Sequence, residues 1–211
     1  MDIITSYPPY RFTAIVLVCL FLLGLSACAS SLHHVENPSK RYYRKGYSIL
    51  PPQETGWLVK EGSKDKIAFF KKGAVPKSSY VVIATSITQP HRFKSEKEFE
   101  EVMGKLHLSM EFRPKRNILL DKKVSLATGR KYCLKSYSKL KDFGKNGKGI
   151  GNGKYLFLEN FGLVCLHPQD KSRLVNIVVS YRYPAGADDD DIEAKANAIL
   201  AGIQFEPMQI N

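Results

Sequence analysis

Short apolar runs and alternating apolar and polar residues dominate the chain after residue 47, and both patterns are typical of β-strands. Three early runs, separated by Gly, Pro and Ser, lie at residues 57–59, 67–70 and 80–84. Longer strand candidates follow at Ile118–Leu126, Arg130–Leu140, Tyr155–Leu166 and Leu174–Tyr183. A short last strand is predicted at Ile203–Phe205, just before Pro207.

Two segments repeat apolar residues with the period of an α-helix instead. In the first, Ser95 and Glu98 have the spacing of a capping box. An apolar stripe follows it: Phe99, Val102, Met103 and Leu106. In the second, four aspartates at 188–191 supply a cap and a negative first turn for the stripe Ile192, Ala196, Ile199 and Leu200. Successive strands with few helices between them predict an α+β domain, with a single antiparallel β-sheet packed by two main helices.

We predict a hairpin that carries a disulfide, formed by the strand candidates Arg130–Leu140 and Tyr155–Leu166. They flank a glycine-rich loop at residues 141–153. If Cys133 faces Cys165, the same register gives two further favourable cross-strand pairs: Tyr137 opposite Phe161, and Lys139 opposite Glu159. Directly opposed cysteines on antiparallel strands lie within disulfide reach, so we predict a Cys133–Cys165 disulfide.

The N-terminus carries a second kind of signal. Arg11 precedes an apolar run over Phe12–Leu25, which ends in Leu25-Ser26-Ala27-Cys28. This tetrapeptide resembles the lipobox of bacterial lipoproteins. The resemblance implies cleavage between Ala27 and Cys28 and acylation of Cys28 by membrane lipid, palmitate among the acyl chains. Ala29 after the cysteine implies forwarding to the periplasmic face of the outer membrane, with the inner membrane or secretion as alternatives.

Two other interpretations of the N-terminus stay open. One is an uncleaved N-terminal helix, although 14 residues from Phe12 fall short of the roughly 20 that span a bilayer. The other is ordinary secretory cleavage. With lipoprotein processing, the organisation is a signal peptide at 1–27, a lipidated and flexible basic tether at 28–46, one globular domain at 47–207 and a tail at 208–211.

Net charge limits the classes of molecule that this chain is expected to bind. The formal net charge is +12, and removal of residues 1–27 takes away one Asp and one Arg, which leaves it unchanged. Export argues against nucleic acid as the counter-charge, so an anionic envelope component or an envelope protein complex is expected instead. The candidate anionic-surface contacts are the cluster Lys40, Arg41, Arg44 and Lys45.

No motif in the chain predicts catalysis, a cofactor or a metal site. The glycine loop lacks the Ser/Thr and the following helix of a P-loop, and the aspartate run lacks the ligand spacing of a calcium loop. His167 stands two residues after Cys165, but a disulfide would remove that thiol as a nucleophile. Glu159, the single acid in its apolar strand, is explained by pairing with Lys139. We therefore predict a protein that is not an enzyme.

Two further resemblances concern the globular domain. Residues 159–168, with Tyr132-Cys133 before them and Tyr181-Arg182-Tyr183 after them, resemble small uncharacterised bacterial lipoproteins. The layout from Tyr47 through Pro51-Pro52 and Trp57 is similar to the PsbP-like α/β/α sandwich, which implies a binding or assembly role and no catalytic residues. The expected function is a membrane-anchored envelope lipoprotein with a non-catalytic binding or scaffolding domain. The alternative is an envelope-acting, hydrolase-like enzyme.

Overall fold

A computed structural model describes residues 32–111, 116–144 and 155–208, apart from the side chains of 107–111. The predicted signal segment with Ala27 and Cys28, residues 112–115, the glycine-rich residues 145–154 and the last three residues lie outside the described residues. The described residues belong to one compact unit, Leu32–Asn211.

The described residues form eleven strands and two helices. The strands are β1 Leu32–His34, β2 Tyr42–Arg44, β3 Tyr47–Ile49, β4 Leu58–Glu61, β5 Lys66–Lys72, β6 Ser79–Thr88, β7 Asn117–Leu126, β8 Cys133–Asp142, β9 Leu156–Leu166, β10 Arg173–Tyr183 and β11 Ile203–Phe205. The helices are α1 Glu96–Glu111 and α2 Ile192–Ala201. The long strands thus lie where the alternating pattern predicts them, within three residues at each end.

The strands make two sheets. Eight of them form an antiparallel sheet in the order β1-β4-β5-β6-β10-β9-β8-β7. The other three form a small antiparallel sheet in the order β11-β3-β2. Helix α1 connects β6, in the middle of the large sheet, to β7 at its edge.

The two faces of the large sheet are covered differently. Alternate residues of a strand point to opposite faces, so Cys133 and Cys165 lie on one face while Leu134 and Val164 lie on the other. The first face packs against the small sheet and α2, and this contact buries Tyr47, Ile49, Ile192, Ala196 and Leu200. The second face packs at one end against α1, through Phe99 and Met103.

The fold class predicted from sequence is wrong. Where we expected one sheet packed by two main helices, the described chain is mostly β-sheet, with a second sheet and two short helices of 16 and 10 residues. The error has a physical cause: β2, β3 and β11 have three residues each. Strands that short show no period, although their residues Tyr47 and Ile49 are fully buried.

The segment predicted as a flexible tether, residues 28–46, also needs correction where it is described. Residues 32–34 pair with β4, and residues 42–44 pair with β3. The two sheets therefore include residues from as early as Leu32, fifteen residues before the predicted domain boundary at Tyr47.

The register of the cysteine hairpin is confirmed. Cys133 lies opposite Cys165, and their sulfur atoms are 2.09 Å apart, at disulfide distance. The two other expected pairs also form: Tyr137 opposite Phe161, and Lys139 opposite Glu159.

The helix caps agree with the sequence only in part. At α1 the Ser95 hydroxyl accepts the Glu98 backbone N–H at 3.1 Å, as a capping box requires. The Glu98 carboxylate, in turn, accepts the backbone N–H of Lys94 and not that of Ser95, and this bond lowers the pKa of Glu98. At α2 the N-cap residue Asp191 makes no side-chain cap bond.

Candidate functional site

An apolar crevice lies on the first face of the large sheet, between α2 and the segment Leu50–Trp57. It encloses about 300 Å³, near the lower limit of ligand cavities, which run from about 300 to 1,000 Å³. Its lining comes from that segment, the sheet and one flank of the helix: Leu50, Pro51, Pro52, Gln53, Glu54, Trp57, Tyr80, Val179, Ile192, Lys195, Ala198, Ile199 and Gly202. Aliphatic and aromatic groups dominate this lining, so the crevice can accept an apolar group of modest size.

Local sequence explains why the crevice stays open. Helix α2 rests on the sheet through Ile192, Ala196 and Leu200, which are all buried. Lys195, Ala198 and Ile199 lie on the next flank of the helix. This flank lines the crevice and is not buried against the sheet. Opposite that flank, Pro51 and Pro52 line the other wall of the crevice, and both are buried.

Arg41 fixes the far end of the helix. Its guanidinium donates hydrogen bonds to the Gly202 carbonyl at 2.7 Å and to the Ser48 hydroxyl at 2.9 Å. The same bonds join the last turn of α2 to strand β3. Arg41 was predicted to contact an anionic surface, but the structure directs its charge into the domain.

Charged side chains surround the mouth of the crevice. Lys71 pairs with Glu54 at 2.5 Å, and Lys195 pairs with Asp189 at 2.8 Å. The bond with Asp189 raises the pKa of Lys195. Burial opposes ionisation of Asp189, but hydrogen bonds from Lys195 and Tyr80 outweigh it and lower the pKa of Asp189. Both groups are therefore ionised at neutral pH, and the mouth of the crevice carries fixed ion pairs beside apolar walls, with Glu54 a further 4.0 Å from Lys195.

A row of stacked tyrosines runs from the crevice across the sheet. Tyr80 stacks on Tyr181 at 4.4 Å between ring centroids, and Tyr181 stacks on Tyr183 at 4.7 Å. The Tyr80 hydroxyl donates to Asp189 at 2.7 Å. Burial, followed by that bond, raises the pKa of Tyr80, and burial likewise raises the pKa of Tyr183. These hydroxyls stay protonated, so they act as hydrogen-bond donors and not as bases.

Glu159 ends the tyrosine row as a buried acceptor. Its side chain receives hydrogen bonds from the hydroxyls of Tyr183 and Tyr137 and an ion pair from Lys139 at 3.0 Å. The predicted pairing with Lys139 is confirmed. Burial lowers the pKa of Lys139, but the bond with Glu159 outweighs burial and raises it overall. The carboxylate is thus occupied by donors of the protein itself.

A second groove, of about 440 Å³, lies on the other flank of α2. It is more polar than the crevice, and its walls alternate in charge. Its charged lining residues are Asp121, Lys123, Lys135, Glu159, Asp190 and Glu193. Of the aspartate run at 188–191, Asp190 lines this groove, and no group of three metal-ligating side chains occurs within residues 32–111, 116–144 and 155–208.

His167 is a structural histidine. It is fully buried, and its Nδ1 accepts the backbone N–H groups of Gln169 and Asp170 at 3.2 and 3.1 Å. Since Nδ1 is an acceptor, Nε2 carries the proton and donates to the Glu206 carbonyl at 3.1 Å. The ring therefore ties the β9–β10 turn to the residues after β11, and Cys165 is bonded to Cys133.

The predicted basic cluster does not form one surface. Arg44 pairs with Glu61 at 2.6 Å, and Arg41 is engaged with α2 as described above. Lys40 and Lys45 are both exposed, but they stand before and after β2. Sequence spacing placed these residues together, whereas the partners of the two arginines lie far away along the chain.

Comparisons with known proteins give little. No protein-family model matches the chain, and no curated protein matches it. A single-residue mutant of the protein Mog1 is similar in structure, with 9% sequence identity, a TM-score of 0.41, and coverage of 78% of this chain and 94% of that one. Among the described residues, neither helix has the length and hydropathy to cross a membrane.

Proposed function

We propose that this protein is an exported, lipid-anchored binding protein, whose globular domain holds a small apolar ligand in the crevice beside α2. The observation that carries the binding role is the crevice itself: an apolar cavity of ligand size, with the Lys195–Asp189 ion pair at its mouth. A ligand that fits is a mainly apolar molecule of modest size. The outer membrane is the proposed location.

The state of the ionisable groups near the crevice favours binding over catalysis. A general base needs a pKa near the working pH and free access to its substrate. Here Asp189 is held ionised by Lys195 and Tyr80, and the pKa of Tyr80 is raised. Glu54, at the mouth, is engaged by Lys71. The crevice residues are therefore equipped to hold a ligand and not to transfer its protons.

The proposed lipid anchor and outer-membrane location rest on the lipobox resemblance, and mass spectrometry of the N-terminal peptide tests them. We expect a triacylated Cys28 in the outer-membrane fraction, because a single acyl chain gives only marginal anchoring. Inhibition of the lipoprotein signal peptidase should leave residues 1–27 attached, and Cys28→Ser should release the protein from the membrane fraction. An unmodified Cys28 in a soluble fraction would contradict both the lipid anchor and the outer-membrane location.

Trp57 makes the ligand test direct, because it is the chain's single tryptophan and it lines the crevice. We expect the fluorescent probe anilinonaphthalene sulfonate to bind and to accept energy from Trp57. Ala198→Phe fills the crevice and should weaken this binding about tenfold or more, about 1.4 kcal/mol.

A matched control lies on the same helix. Ala194 is also exposed on α2 but does not line the crevice, so Ala194→Phe should leave the affinity of the probe unchanged. Equal affinities for the two variants, or binding without energy transfer from Trp57, would place the probe elsewhere and contradict the proposal.

A further inference from the structure

The short distance between the proposed anchor and the first strand constrains how the domain meets the membrane. Four Cα-to-Cα steps separate Cys28 from Leu32, and they span at most about 14 Å in a fully extended chain. Leu32 belongs to β1, which pairs with β4 at an edge of the large sheet. The part of the domain around Leu32 is therefore held within about 14 Å of the acylated residue.

Exposed lysines crowd this part of the domain. Lys60 lies directly opposite Leu32, and the turn that follows β4 brings Lys64 and Lys66 to the same end of the sheet. The turn between β2 and β3 joins them, because the backbone N–H of Lys45 donates to the Lys64 carbonyl at 2.9 Å. We name this surface the Leu32 corner: Leu32, Lys45, Lys60, Lys64 and Lys66.

The nearby acids do not neutralise the Leu32 corner. Glu61 is paired with Arg44 at 2.6 Å, so this pair adds no net charge. Asp65 approaches the buried Arg173 at 3.5 Å. The four lysines therefore remain as excess positive charge, beside Leu32, which is 54% exposed.

We propose that the Leu32 corner docks the domain on the anionic phospholipid headgroups of the membrane that holds Cys28. Lysines near an anionic surface each contribute about a fivefold gain in binding. An exposed leucine adds apolar area that the adjoining interface can bury. The inference rests on the proposed lipid anchor, and of the predicted cluster Lys40, Arg41, Arg44 and Lys45 it keeps Lys45 alone as a membrane contact.

Lysine footprinting of the acylated full-length mature protein tests this orientation. The protein is reconstituted in vesicles of phosphatidylcholine alone or of phosphatidylcholine and phosphatidylglycerol in equal parts, and exposed amines are acetylated. In the anionic vesicles at low salt, we expect Lys45, Lys60, Lys64 and Lys66 to react about fivefold more slowly than in neutral ones. High salt should abolish that protection because exposed charges are screened.

Strand β5 supplies a matched pair of variants. Lys66 and Lys72 stand at its two ends, on the same face of the sheet, and both are exposed. Lys66→Glu should reduce the protection of Lys60 and Lys64, whereas Lys72→Glu should leave it unchanged. The amine of Lys72 itself should react equally fast in both kinds of vesicle.

The outcomes separate the docking from the anchor. If Cys28 is acylated in the same digest but the lysines of the Leu32 corner are no better protected than Lys72, the docking is wrong and the anchor stands. Protection that is equal in neutral vesicles and persists in high salt also overturns it. If Cys28 carries no lipid, the proposed lipid anchor is wrong, and the proposed docking is wrong with it.

Discussion

Replacing Cys133 and Cys165 together by alanine is expected to lower the free energy of unfolding by about 3–4 kcal/mol. The two cysteines are 32 residues apart in sequence, and a cross-link of that span removes loop-closure entropy of this size from the unfolded chain. Both side chains are buried within the cluster on the first face, so the substitutions also remove packed atoms. Urea unfolding of the full chain, followed by circular dichroism, measures the loss.

Reductant provides the control for this prediction. The stability of the wild-type protein should fall toward that of the double variant when a thiol reductant is present, while the double variant should not respond. A double variant that unfolds within about 1 kcal/mol of the wild type, the typical effect of an ordinary point mutation, would show that the cross-link contributes little.

Glu159→Ala is expected to be the second most damaging change, with a loss of about 3 kcal/mol. The carboxylate is 8% exposed and accepts bonds from Tyr183, Tyr137 and Lys139. Its removal leaves the hydroxyls of Tyr183 and Tyr137 without this acceptor, while Lys139 keeps its ion pair with Asp188 at 3.6 Å. Breaking a buried charged network by removing one partner costs about 3–5 kcal/mol, and the partial exposure of Lys139 keeps the estimate at the lower end.

Two variants calibrate the effect of Glu159. Glu193→Ala removes an exposed acid from α2 and should change the free energy of unfolding by no more than about 0.5 kcal/mol. Tyr183→Phe removes one donor and leaves the carboxylate with its other partners, so its cost should be about 1 kcal/mol. If Glu159→Ala unfolds no more easily than Glu193→Ala, the network does not stabilise the domain.

The cysteine hairpin and the long strands were predictable because local rules decide them. A single assumption, Cys133 opposite Cys165, produced two favourable neighbouring pairs, and cross-strand pairs are what fixes register. The helices were equally visible as apolar stripes, and Ser95 marked the start of α1. In each case the residues that carry the signal lie within one element or one hairpin.

The small sheet and the crevice were not predictable in the same way, because distant segments build them. Strand β3 pairs with β11 across more than 150 residues, and each strand alone is too short to show alternation. The charge of Arg41 looks like a surface charge in the sequence, yet its main partner is the Gly202 carbonyl. The crevice likewise forms between Pro51 and Ala198. The sequence around either residue contains no signal that the other lies near it in the fold.

The order of the strands also bears on when the domain can fold. Strand β3 has β2, synthesised just before it, on one side and β11, synthesised more than 150 residues later, on the other. The small sheet therefore cannot close before residue 205 has left the ribosome. Contacts of such long range slow folding. A chain built in this way therefore stays without its small sheet, and without the core that this sheet covers, until both ends of the domain have been made.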